Sequence, residues 1–155
     1  MKKTLALLAI AATTIIFSAS CNAAGKETAS QKEEKTVVEL NKSDFLEKIM
    51  NYEKNPDKWT YLGDKPAIID FYATWCMPCK RLAPVLEELS KEYEGKVDFF
   101  KVDAEKEREL SRVFGIQSYP TLIFIPKDGM PQVLMGAYPK EDMKTFIEQT
   151  FFPKN

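Results

Sequence analysis

The chain has 155 residues, with 22 basic and 23 acidic side chains and a net charge of −1. That near-neutral mixture carries no electrostatic footprint for nucleic acid, and the length suits one domain with its own core rather than two. There is no histidine and there are three cysteines, which excludes imidazole catalysis, haem attachment through C-x-x-C-H (Lys80 follows Cys79), His-containing zinc sites and a framework of structural disulfides.

Residues 1–21 read as an export signal. Lys2 and Lys3 form a positive n-region, Leu5 to Phe17 an apolar stretch broken only by Thr13 and Thr14, and the small residues Ser18, Ala19 and Ser20 lead up to Cys21. The run is shorter than the about 20 apolar residues of a spanning helix; an uncleaved N-terminal anchor is the competing reading. Residues 22–36 are polar, small and charged, the composition of a flexible tether that buries nothing. The domain is expected over 37–155.

Within it, Ser43–Met50 has helical spacing, with Phe45, Leu46 and Ile49 on one face and Ser43 as the cap. Asn51–Lys65 is turn-rich, with Asn55-Pro56 and Gly63-Asp64. Ala67–Tyr72 is an apolar run that suits a buried strand. Arg81–Tyr93 repeats Leu82, Val85, Leu86 and Leu89 at helical spacing, and Gly95 ends it. Val97–Val102 reads as a strand and Lys106–Phe114 as a helix stopped by Gly115. Thr121–Ile125 and Gln132–Met135 are strands joined through Lys127-Asp128-Gly129, and Lys140–Phe152 is a closing helix with Met143, Phe146 and Ile147 inward. This order predicts an α/β domain, a mixed sheet with helices on both faces.

The chemistry centres on Trp75-Cys76-Met77-Pro78-Cys79-Lys80, placed after a strand and opening a helix. In that position a C-x-x-C pair reads as a redox motif; a structural disulfide or half a metal site is the bland alternative, and two cysteines are only half the ligands of a structural zinc. Cys76 falls at the helix N-terminus, where unpaired N–H groups and the dipole favour a thiolate and lower its pKa. Cys79 falls one turn further in and is expected to be the less exposed of the two. Pro78 fits the first helical turn, where its missing N–H costs nothing. No metal and no cofactor is expected. Asp70 sits mid-strand between Ile69 and Phe71. Buried there, its pKa would rise and it could trade protons near neutrality; at a strand edge it would merely be solvated, and the flanks do not choose. In the first case it is the proton acceptor for Cys79, and replacing it by Asn should slow exchange most at low pH. Pro120 opens an apolar strand after Gly115-Ile-Gln-Ser-Tyr119.

Phe71-Tyr-Ala-Thr-Trp-Cys-Met-Pro-Cys-Lys80, then Pro84, then Tyr119-Pro120-Thr121, then Gly136 resemble the thioredoxin family. The resemblance runs from about Ala67 to the C-terminus and more loosely back to Val37. It implies the thioredoxin fold, a cis Pro120 beside the cysteines, Asp70 as the acid beneath them with Lys101 facing it, and a substrate groove lined by Trp75, Met77, Pro78, Tyr119, Pro120 and Gly136. Pro84 matches the proline that kinks the active-site helix. Two positions depart from the common pattern: Met77 replaces a glycine before Pro78, and Tyr119 replaces the usual isoleucine before Pro120. The Asn51–Lys65 segment is longer than in compact members, and an added local surface is expected there.

The implied reaction is dithiol–disulfide exchange through Cys76 and Cys79, reducing disulfides in exported proteins, with a membrane thiol-reductase as electron donor and the protein a monomer. An oxidant or isomerase for folding proteins, and a non-catalytic binding module of the same fold, are the alternatives. Strong oxidants of the superfamily usually carry a His between the cysteines, and none is present. The small residues before Cys21 also resemble a bacterial lipoprotein signal, with Ser18 where Leu is usual. That reading gives a lipid anchor at Cys21 and a location in the periplasm of a Gram-negative bacterium; ordinary cleavage would give a soluble exported protein.

Overall fold

A computed structural model describes residues 36–153. The export signal, Cys21 and almost all of the tether lie outside the described residues. Five strands and four helices follow in the order β1 (Val37–Glu39), α1 (Lys42–Lys48), β2 (Ala67–Tyr72), α2 (Met77–Glu92), β3 (Asp98–Asp103), α3 (Arg108–Val113), β4 (Thr121–Ile125), β5 (Gln132–Met135) and α4 (Lys140–Phe151). The sheet order is β1-β3-β2-β4-β5. β1 and β2 pair parallel with β3, while β4 runs antiparallel to both β2 and β5.

β2 is the middle strand, and its residues are buried almost throughout because the sheet is covered on both faces. Alternation along a strand sends neighbours to opposite sides. Ile68, with Phe99, Leu122 and Phe124, packs under α2 and α4 against Leu82, Leu86, Leu89, Met143 and Ile147. Ala67, Ile69 and Phe71, with Val102, Ile123 and Ile125, pack under α1 and α3 against Phe45, Ile49 and Leu110. Each such side chain removed from water contributes roughly 1.5–3 kcal/mol, so the two apolar layers dominate the stabilisation of the sheet.

Local differences from the sequence reading have simple causes. α1 begins at Lys42, because Asn41 rather than Ser43 caps it: the Asn41 side chain accepts from the Asp44 N–H at 2.9 Å and the Asp44 carboxylate accepts from the Asn41 N–H at 3.4 Å. α2 begins at Met77, before the apolar spacing at Leu82 becomes visible. α3 covers only Arg108–Val113, since residues 106 and 107 turn over the buried Asp103, which accepts from the N–H groups of Glu105 and Lys106. β1 was not anticipated as a strand; three residues with one buried side chain show no alternation to read.

Asn51–Lys65 forms more than an added surface. Tyr52, Trp59 and Tyr61 turn inward onto the α1–α3 layer, where Phe114 meets Phe45 at 5.0 Å and Trp59 edge-on at 6.4 Å between ring centroids. The Leu62 N–H donates to the Ile49 carbonyl at 2.9 Å, and Lys42 on α1 pairs with both Glu53 and Glu109. Among the described residues no helix is long and apolar enough to cross a membrane.

Candidate active site

The β2–α2 junction places Cys76 at the N-cap of α2 and Cys79 in its first turn. The two are joined as a disulfide with Cα atoms 5.3 Å apart. Both cysteines are nearly fully covered, at 3% and 4% exposure, so burial does not separate them as the sequence had suggested. The difference lies in their partners. The Cys79 N–H donates to Cys76 Sγ at 3.1 Å; once the pair is reduced, that donor and the helix terminus favour a thiolate on Cys76. Pro78 occupies the first turn of α2, and Pro84 further along points outward, leaving the Lys80 carbonyl without its usual i+4 donor.

Beneath the cysteines lies Asp70. It is in the central strand, 4% exposed, on the α2 side of the sheet, so the solvated strand-edge alternative does not hold. Its Oδ1 has no hydrogen-bond partner. Burial pushes its pKa up to about 7, and the charge of Lys101 pulls weakly the other way. Lys101 is Asp70's register partner on β3, yet its ammonium lies 5.9 Å from the centroid of the Tyr72 ring instead of bonding the carboxylate. A cavity of about 280 Å3 has Asp70, Lys101, Tyr72 and Cys79 in its wall. It is large enough for water.

The rim is built from three further segments. Tyr119–Pro120 is a cis peptide bond. Tyr119 packs against the cysteine cluster and meets Trp75 edge-on at 6.0 Å. Gly136 donates its N–H to the Pro120 carbonyl at 2.8 Å with φ +101°. That left-handed backbone is itself what calls for glycine, because an added Cβ there would make only an ordinary contact with Tyr138, at 3.8 Å. Trp75 and Met77 stand 63% and 60% exposed on either side of Cys76. The structure therefore gathers Cys76, Cys79, Asp70 and Lys101 below, and Trp75, Met77, Pro78, Tyr119, Pro120 and Gly136 around them.

Three residues bordering the site were not singled out from the sequence. Tyr72 looked like one more apolar strand residue. Arg108 and Arg112, with Trp75 and Tyr119, line a pocket beside the disulfide; their i, i+4 spacing on a helix was the one available signal. Among the described residues no three side chains of His, Cys, Asp or Glu converge to hold a metal ion.

A family model described as Thioredoxin matches residues 36–149. A thioredoxin of Borreliella burgdorferi is 47% identical over 115 residues, 74% of this chain and 97% of that protein. One from Haemophilus influenzae is 35% identical over 113 residues, 73% of this chain and 95% of its own length. Among solved structures, a chloroplastic thioredoxin z superposes with a TM-score of 0.62 at 29% identity, covering 74% of this chain and 93% of that one. The Malassezia sympodialis thioredoxin gives 0.58, also at 29% identity, covering 74% and 90%.

Proposed function

The chain belongs to the thioredoxin family and is a thiol–disulfide oxidoreductase acting on disulfide-containing proteins; from that premise we propose that it is a reductant of disulfides in exported proteins. The observation that carries the reading is the Cys76–Cys79 pair at the start of α2 with Asp70 in the wall of the same cavity as Cys79. The Cys76 thiolate attacks one sulfur of a client disulfide; a Cys76–client bond forms and the other client sulfur leaves as a thiolate. Asp70 takes the proton of Cys79 through the cavity, and Cys79 attacks Cys76 Sγ. The second client sulfur is released, and the Cys76–Cys79 disulfide closes. Two electrons pass to the client, and a membrane thiol-reductase restores the dithiol.

The reducing direction rests on what surrounds Cys76. A strong oxidant is one whose reduced form is heavily stabilised. Here the support is one N–H and a helix end, with Met77 and Pro78 between the cysteines and no imidazole in the chain. Export rests on Lys2, Lys3 and the apolar run Leu5–Phe17 leading to Cys21, with the polar stretch behind it as tether. The deciding measurement is the reduction potential of the Cys76–Cys79 couple. A value near about −270 mV supports the reductant, while one near about −120 mV overturns it in favour of an oxidant. Insulin reduction by the reduced protein, abolished in Cys76→Ser, is the accompanying activity test.

A further inference from the structure

Beside the disulfide lies a pocket of about 340 Å3 whose charged groups the exchange reaction does not use. Trp75, Tyr119, Ala104, Arg108 and Arg112 are in its wall, together with Glu105. Arg108 and Arg112 stand one turn apart on α3, and both are exposed. The ion pairs among the described residues all use lysines, so neither guanidinium is neutralised by a bonded carboxylate. Arg108 Nε donates to the Glu105 backbone carbonyl at 3.3 Å, which orients the side chain without engaging a charge. Glu109, the acidic neighbour on α3, bonds Lys42 at 2.8 Å and makes no bonded pair with either arginine, although its charge and that of Arg112 are felt by one another. In the pocket wall itself Glu105 sets one negative charge against the two guanidiniums.

The apolar wall of this pocket belongs to the reaction centre. Trp75 adjoins Cys76 in sequence, and Tyr119 packs on the cysteine cluster. Both rings line the pocket with the guanidiniums, so a client chain joined to Cys76 and laid across them would reach Arg108 and Arg112. From this arrangement, and resting on the reducing function above, we infer that the pocket selects client disulfides whose cysteine is flanked in sequence by Asp or Glu, the client carboxylate being held by Arg108 and Arg112. The planar guanidinium fork suits a carboxylate better than a lysine would. A basic residue at the same place in the client meets repulsion, which adds to the discrimination.

The test uses three disulfide-bridged peptides that differ only in the residue flanking the reactive cysteine: Glu, Ala or Lys. The reduced protein should reduce the Glu peptide about tenfold faster than the Lys peptide, and the ratio should fall toward one at high salt. Arg108→Glu/Arg112→Glu should invert the ratio, and Arg108→Lys/Arg112→Lys should keep its direction at a smaller size. Each ratio is taken within one protein, so a general loss of active molecules cancels. Equal rates for Glu and Lys peptides in the wild type, or a ratio that salt and charge reversal leave alone, overturn the inference. Should the charge-reversed protein fail to fold, the wild-type salt series and the lysine pair decide. Failure of the wild type to reduce even the Ala peptide would instead overturn the reducing function.

Discussion

Asp70, unfolded, titrates near its ordinary 3.8; folded, it titrates at about 7, with burial as the larger cause. Between those values the folded state holds a proton that the unfolded state has lost. Stability therefore falls as pH rises through that window, and the full cost, on the order of 4 kcal/mol, is reached above pH 7. Asp70→Asn removes the charge. Thermal melts should show the variant more stable than wild type at pH 8, with the difference shrinking toward pH 4; a difference that does not vary with pH would show that the carboxyl is paired. The same value shifts the kinetic window. The sequence suggested that the rate loss would be largest at low pH, but below pH 7 wild-type Asp70 already carries a proton and accepts none. Asp70→Asn should slow resolution of the mixed disulfide most between about pH 7 and the ordinary thiol range near 8.5, and stopped-flow exchange across pH measures it. Rates that diverge only below pH 6 would rule Asp70 out as the base. Cys79→Ser should accumulate Cys76–client mixed disulfides on non-reducing gels, and Cys76→Ser should not. Trapping by Cys76→Ser would reverse the assignment of nucleophile.

Between residue and fold stands the Asn51–Lys65 segment, whose turn residues were plain in the sequence and whose destination was not. Asn55-Pro56 and Gly63-Asp64 announce a change of direction, but nothing local says that Tyr52, Trp59 and Tyr61 turn back onto α1 and α3. That depends on Phe114, distant in sequence, offering its ring to Phe45, Tyr52 and Trp59. Trp59→Ala should cost about 2 kcal/mol in denaturant unfolding, less than a fully buried aromatic truncation because the ring is half-buried. Trp59→Phe should cost much less, because the indole N–H is buried without a partner and its loss removes a penalty. Gly63→Ala tests the same packing from the other side. A Cβ there collides with the Tyr61 ring, whose hydroxyl donates to the Lys65 carbonyl at 2.7 Å, and the forced shift should cost about 1–3 kcal/mol. If all three variants melt like wild type, the segment is a surface appendage after all.

At the scale of the whole molecule, the anchor is tested in cells. If Cys21 carries lipid, the full-length protein should partition into detergent, and Cys21→Ala should move it to the aqueous phase. Wild type found wholly in the aqueous periplasmic fraction would mean ordinary cleavage. What the sequence by itself determined is what local pattern encodes. Apolar runs bounded by turn residues placed β2, β4 and β5, and helical periodicity placed α4, to within a residue, because such runs and faces are written in the local chain. The Trp75–Lys80 motif opened α2 because cap, proline and cysteines lie within one turn. What only the tertiary structure decided depends on which strand lies beside which. Sheet order put β2 in the middle, and the packing of α2 over that face buries Asp70. Parallel pairing with β3 set Lys101 opposite it, with the ammonium 5.9 Å from the centroid of the Tyr72 ring. The packing of α3 beside the disulfide brought Arg108 and Arg112 to Trp75. Desolvation and charge proximity are properties of neighbours in space, and these neighbours come from segments that sequence order keeps apart.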